Sequence, residues 1–235
     1  MVAPVSNSPA DGFHLPVTFG QNDVVTDNNV GSAGLQITAI GNASTLAYQT
    51  AGKYGTVLRL TTAATADGDG EAVHSFPDGL VVTPGTWFKA RVRYPVELAS
   101  LNFRVGLDDS VTATSPTVGI WFDSDAGVLS CQVDSADHGD ESELVTGHPD
   151  LTSGTTAVVG EWLDLEWVAS GRENAQGGPD EVDFYINSHH VAKVKCNIDD
   201  DEEVELKLAA WQDSGSTDAV TFEVAYMELY IPRLG

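Results

Sequence analysis

The sequence predicts an all-β chain of two antiparallel sheets packed face to face. Three observations predict it: short runs rich in Val, Ile, Thr and aromatic residues, alternation of apolar and polar positions within those runs, and the lack of any stretch with helical spacing. Clusters of Gly, Asp, Ser and Pro separate the runs, as turns require. With 235 residues, 42% of them hydrophobic, the chain can bury one such core.

Residues 1–33 hold Pro4, Pro9 and Pro16 among many Asn, Asp, Ser and Gly, which is the composition of an irregular or extended N-terminal arm. The sandwich domain then covers 34–235, opening with runs at 34–40, 45–50, 56–62 and 71–76. Successive strand side chains point to opposite faces. In 87–94, therefore, Phe88, Ala90, Val92 and Tyr94 face the core, and Trp87, Lys89, Arg91 and Arg93 face away. The same rule turns inward Leu101, Phe103, Val105 and Leu107, then Val118, Ile120 and Phe122, then Leu129, Cys131 and Val133. Further along come Leu163, Leu165 and Trp167, then Val182, Phe184 and Ile186, then Val204, Leu206, Leu208 and Ala210. Val220, Phe222, Val224 and Tyr226 close the series. About a dozen half-polar strands spaced by turns make two packed sheets in one domain.

Lys and Arg number 11 against 35 Asp and Glu, a formal charge of −24. Such a polyanion repels phosphates, so nucleic acid is excluded as a general partner. No apolar run approaches the about 18 residues that cross a bilayer, so a membrane is excluded as well. The opening Met-Val-Ala-Pro-Val-Ser lacks the basic and apolar segments of a signal peptide, and the chain reads as soluble without an export signal. Cys131 and Cys196 sit in strand-like runs and read as buried thiols, with a single disulfide as the other reading. No cofactor is expected.

Several segments together resemble a family of structural proteins of tailed bacterial viruses built on the concanavalin A-like lectin/glucanase sandwich, a jelly roll. They are GTVLRLTT at 55–62, TWFKARVRYP at 86–95, LNFRVGLDD at 101–109, VGIWFDSD at 118–125, GEWLDLEW at 160–167, VDFYIN at 182–187 and VTFEVAYMEL at 220–229. The resemblance spans roughly residues 40–232 and is carried by order and spacing. It departs at Ser188, His189 and His190, where the family has a glycine turn, so that hairpin is expected to be built differently. The resemblance implies a capsid-surface or decoration role without catalysis.

Glycoside hydrolases on this scaffold carry Glu-x-Asp-x-Glu on one strand. Here Asp164 and Glu166 share a face, but Trp162 stands in the first acidic position and Glu161 points the other way. A retaining mechanism needs two carboxyls about 5–5.5 Å apart in defined roles, so no catalytic residue is assigned. Asp164 and Glu166 read instead as partners of basic neighbours. No Gly-x-Ser-x-Gly elbow is present. Asp67, Asp69 and Glu71 alternate but lack the rest of an EF-hand calcium loop, and the run 199–203 (DDDEE) reads as a solvated turn. His189 and His190, adjacent in a strand, point apart and read as surface residues; no metal site is assigned.

The outward positions carry the candidate binding residues. Lys89, Arg91, Arg93 and Arg104 are four of the 11 basic residues and read as a basic stripe. Asp164, Glu166, Asp183, Glu205 and Glu223 share their parity, so cross-strand charge pairing is favoured over docking on an acidic partner. Trp87, Trp121, Trp162, Tyr185 and Trp211 also fall on the polar parity, the place for a partner, a sugar or a covering loop. Trp121 leads them because Gly119 beside it should leave its ring open. The candidate set is Trp87, Lys89, Arg91, Arg93, Arg104, Trp121, Tyr185 and Trp211.

Two functions follow. The first is a non-enzymatic virion protein, located on the capsid surface and assembled in the host cytoplasm. It would dock on the major capsid protein or another virion protein, as a homo-oligomer for which a trimer suits a local three-fold position. The second is a carbohydrate-binding module for host glycans.

Overall fold

The computed structural model describes residues 12–19, 30–40, 45–50, 55–62, 70–74, 79–95, 101–110, 116–136, 139–175, 177–212 and 219–232. The acidic run at 67–69 and most of the expected arm, residues 1–11 and 20–29, lie outside them. Within the described residues are sixteen strands. They are β1 (Phe13–Thr18), β2 (Gln36–Ile40), β3 (Thr45–Thr50), β4 (Thr56–Thr61), β5 (Gly70–His74), β6 (Leu80–Val81), β7 (Trp87–Arg93) and β8 (Leu101–Asp108), followed by β9 (Gly119–Asp125), β10 (Val128–Ser135), β11 (Gly139–Leu144), β12 (Trp162–Glu173), β13 (Pro179–Ile186), β14 (His189–Lys195), β15 (Glu203–Gln212) and β16 (Thr221–Ile231). No helix of the described residues is long and apolar enough to cross a membrane.

The strands form two sheets. One runs β14-β13-β12-β7-β16-β4-β3 and the other β11-β10-β9-β8-β15-β5-β2. β1 joins the first sheet against β16, and β6 joins the second against β15. The pairings are antiparallel throughout. Of the expected arm, residues 13–18 are therefore a strand of the sandwich.

Alternation decides what lies between the sheets. Phe88, Ala90, Val92 and Tyr94 of one sheet and Leu101, Phe103, Val105 and Leu107 of the other are all buried in one core. Aromatic rings bridge the layers: Phe103 stacks on Phe222 at 4.7 Å, and Phe122 meets Phe184 edge-on at 5.2 Å. Cys131 and Cys196 are buried free thiols. Burial pushes the Cys196 thiol up to about 12, away from the reactive thiolate.

One inward assignment is corrected. The parity of β16 breaks between Val224 and Tyr226, where its register against β7 shifts. That irregularity turns Tyr226 outward and puts Met227 and Leu229 in the core instead. The outer strand β11 has no apolar alternation at all; its GDESEL is exposed throughout, and three carboxylates discourage edge pairing with another chain.

Candidate functional site

The outer face of the first sheet is a lattice of cross-strand ion pairs. Register places Asp164 opposite Arg91, Glu166 opposite Lys89 and Glu223 opposite both Arg93 and Arg59. Arg91 Nε donates to Asp164 Oδ1 at 2.6 Å, Lys89 Nζ lies 3.5 Å from Glu166, and both Arg59 and Arg93 pair with buried Glu223. The two acids nearest a hydrolase motif are thus held by basic neighbours. Tyr226 donates to Asp164 at 3.3 Å, and burial followed by the charge of Asp164 pushes its phenol up to about 12. Trp87 stacks on Tyr230 at 6.0 Å with the His14 ring beside it, and half-buried Tyr185 meets His190 edge-on at 5.3 Å.

Arg104, Trp121 and Trp211 lie on the outer face of the other sheet, so the four basic residues do not form one stripe. β7 and β8 are neighbours in the chain but belong to different sheets, and the outward faces of two packed sheets look in opposite directions. Glu205 likewise leaves the acids of the first sheet for this one. The guanidinium of Arg104 is 4.8 Å from the Trp121 ring centre and 5.7 Å from that of Trp211.

Nor is the Trp121 ring open: it is 2% exposed. Gly106 and Gly119 remove the side chains beneath it. A Cβ on Gly119 would come within 3.0 Å of its Cζ3. The indole therefore settles against the sheet, and Arg104 lies over it.

Around Arg104 is a buried ionic cluster that alternation did not reveal. Lys207 Nζ donates to Asp108 at 3.0 Å with both side chains fully enclosed, and Arg104 stands 3.9 Å from Asp108 and 3.6 Å from Asp123. Burial pushes Asp108 up to about 6 against the pull of Lys207, and lifts Asp123 against Arg104. Asp134 is pushed up to about 7 by burial and then by Asp140. The cluster is closed to a large ligand.

An open cleft lies at one end of the first sheet. It has a volume of about 420 Å³ and is lined by Asp150, Glu161, Trp162, Leu163 and Asn187. Its geometry comes from a two-residue turn between β13 and β14. Asn187 and Ser188 both have positive φ, 49° and 66°, the backbone of a type I′ hairpin. Asparagine tolerates that conformation, so the turn forms without the expected glycine.

Asn187 then ties three segments together. Its N–H donates to Asp164 O at 2.8 Å, its Oδ1 accepts from the Asp164 N–H at 2.9 Å, and its Nδ2 donates to Asp150 Oδ2 at 2.8 Å. Trp162, half-buried, carries the Arg93 guanidinium 4.6 Å from its ring centre. The cleft presents an aromatic wall beside two exposed carboxylates and an amide. A smaller hollow of about 380 Å³ sits where β1 meets β16, with Thr18, Tyr226 and Glu228 among its lining.

The run 199–203 is a turn closed by Glu202, whose carboxylate accepts from the backbone N–H groups of Asp199 and Ala136, both at 2.8 Å. His190 pairs with Asp183 at 2.9 Å.

No family model and no curated protein matches the sequence. Solved structures do match in shape. A Shewanella oneidensis MR-1 protein of unknown function superposes with a TM-score of 0.61 at 10% identity, over 96% of this chain and 90% of its own. The Emp47p carbohydrate recognition domain gives 0.57 at 8% identity, over 97% of this chain and 100% of its own. The fold is a lectin-like β-sandwich. A botulinum neurotoxin serotype D ligand binding domain, solved in complex with N-acetylneuraminic acid, gives 0.54 at 13% identity over 94% of this chain. The chain spans about half the length of that toxin domain, 48%.

Proposed function

We propose that this protein is a non-enzymatic carbohydrate-binding module and that the cleft around Trp162 is its glycan site. The carrying observation is the composition of that cleft. A sugar ring has an apolar C–H face, which an indole covers, and a rim of hydroxyls, which Asp150, Glu161 and Asn187 can hydrogen-bond. The lectin-like neighbours, a carbohydrate recognition domain and a ligand binding domain solved with N-acetylneuraminic acid, support the reading. Two carboxylates at the cleft and a net charge of −24 disfavour acidic sugars, so the ligand is a neutral glycan. An array of neutral and acidic glycans should show binding to neutral ones. Trp162→Ala should weaken that binding about tenfold, or ~1.4 kcal/mol, while Trp87→Ala leaves it unchanged. Silence across the array, or an unaffected Trp162→Ala, would overturn the reading.

A second reading keeps the resemblance to tailed-virus decoration proteins. His14, Trp87 and Tyr230 form an aromatic patch on the outer face of the first sheet, which also carries Lys89 and Arg91. Such a patch is suited to burial against a capsid protein. Co-sedimentation with virus shells that Trp87→Ala abolishes would establish it, and failure to sediment with any shell would end it.

A further inference from the structure

We propose that His148, Asp150 and His189 form a binding site for a divalent transition-metal ion of the zinc class. One ligating atom from each residue lies within 4.8 Å of the others. They come from distant parts of the chain: the loop between β11 and β12 carries the first two, and the β13–β14 hairpin carries the third. The inference does not rest on the glycan reading.

The loop is rigid where it matters. The His148 N–H donates to Gly154 O at 3.1 Å, and the Leu151 N–H donates to His148 O at 3.2 Å. The side chain of Leu151 anchors the turn in the core. His148 is itself buried, so its imidazole is a fixed post.

The hydrogen bonds settle which ring nitrogens carry protons. His148 Nε2 faces the carbonyl oxygen of Ile186 at 2.9 Å and must donate to it. Its Nδ1 therefore holds the ring's single lone pair, which accepts from the Asp150 N–H at 3.2 Å, so an ion binds there by displacing that long bond. His189 Nδ1 faces the carbonyl of Asn187 at 3.2 Å and donates, which leaves its Nε2 lone pair for a ligand. A histidine whose other nitrogen donates to a backbone carbonyl is the usual arrangement around a bound metal, because the bond orients the ring and raises its basicity. Asp150 completes the pattern: Asn187 Nδ2 holds its Oδ2, leaving the carboxylate's remaining lone pairs to the ion.

Ligand chemistry selects the ion. Two imidazoles and one carboxylate suit zinc and its neighbours, whereas calcium and magnesium need six or more oxygens. Bonds of about 2.0–2.2 Å at tetrahedral angles place ligand atoms about 3.3 Å apart. The exposed side chains of Asp150 and His189 must therefore close further onto fixed His148. Three protein ligands leave a fourth position open, beside the cleft that Asp150 also lines.

The test titrates zinc into the full chain after chelator treatment, by calorimetry, with calcium in excess to occupy the acidic surface. One saturable zinc site per chain is expected. Asp150→Asn and His189→Ala should each weaken it at least about tenfold, and His190→Ala should leave it unchanged. Both ligand variants alter exposed side chains and should unfold like the parent in the presence of chelator. Absence of saturable zinc binding would overturn the proposal, as would equal affinity in the parent and both ligand variants.

Discussion

Lys207 of β15 and Asp108 of β8, diagonal neighbours across adjacent strands, place charge inside this protein. Both are fully buried on the outer face of their sheet, and their pairing at 3.0 Å offsets a desolvation cost of several kcal/mol per ion. Nearby carboxyls retain protons instead. Asp134 is pushed up to about 7 by burial, against about 3.9 in an unfolded chain. Between those values the native chain binds more protons than the unfolded one, so stability falls as pH rises through that window. The contribution is complete below about pH 4 and lost above about pH 7. Asp108, pushed up to about 6, acts in the same direction. Urea unfolding at pH 5 and pH 8 should show a loss of stability at pH 8 that Asp134→Asn reduces; an unchanged loss in the variant would disprove the assignment. None of this was legible beforehand, because an alternating pattern says that Asp108 and Lys207 point away from the core and nothing about what encloses them.

Glycines set how closely the elements approach. Gly119, with φ of +154°, has the carbonyl of Leu107 where a Cβ would sit, at 2.2 Å, and the Cα of Asp108 at 2.8 Å. Backbone cannot yield as a side chain does, so Gly119→Ala should destabilise the protein by about 2–3 kcal/mol, measurable by denaturant titration. A loss below about 0.5 kcal/mol would mean that β8 and β9 can separate. The hairpin at Asn187 and Ser188 is a second element-scale feature. Its sequence pointed to a departure from a glycine turn, and the departure consists of two consecutive residues at positive φ. That turn aims Asn187 at both Asp150 and Asp164, so it positions the cleft. The bulge in β16 is the opposite case: eight apolar or aromatic residues from 220 to 230 fit either parity in part, and only pairing with β7 reveals where it switches.

Across the whole molecule, the sandwich and its core were readable from the chain alone, because period-two burial is a local property that each strand displays in its own residues. Phe88, Phe103, Phe122, Trp167 and Phe184 lie where alternation puts them. The charge-paired outer face of the first sheet was readable for the same reason, since Arg91, Asp164 and their neighbours share one parity. Which outward faces belong together was not. Consecutive strands β7 and β8 sit in opposite sheets, so Arg93 and Arg104, eleven positions apart, end on opposite sides of the protein. Only the tertiary structure brought Asp150, Trp162 and Asn187 to one cleft and His148 to His189, because contacts between distant segments depend on strand order, and strand order leaves no periodic trace in the sequence.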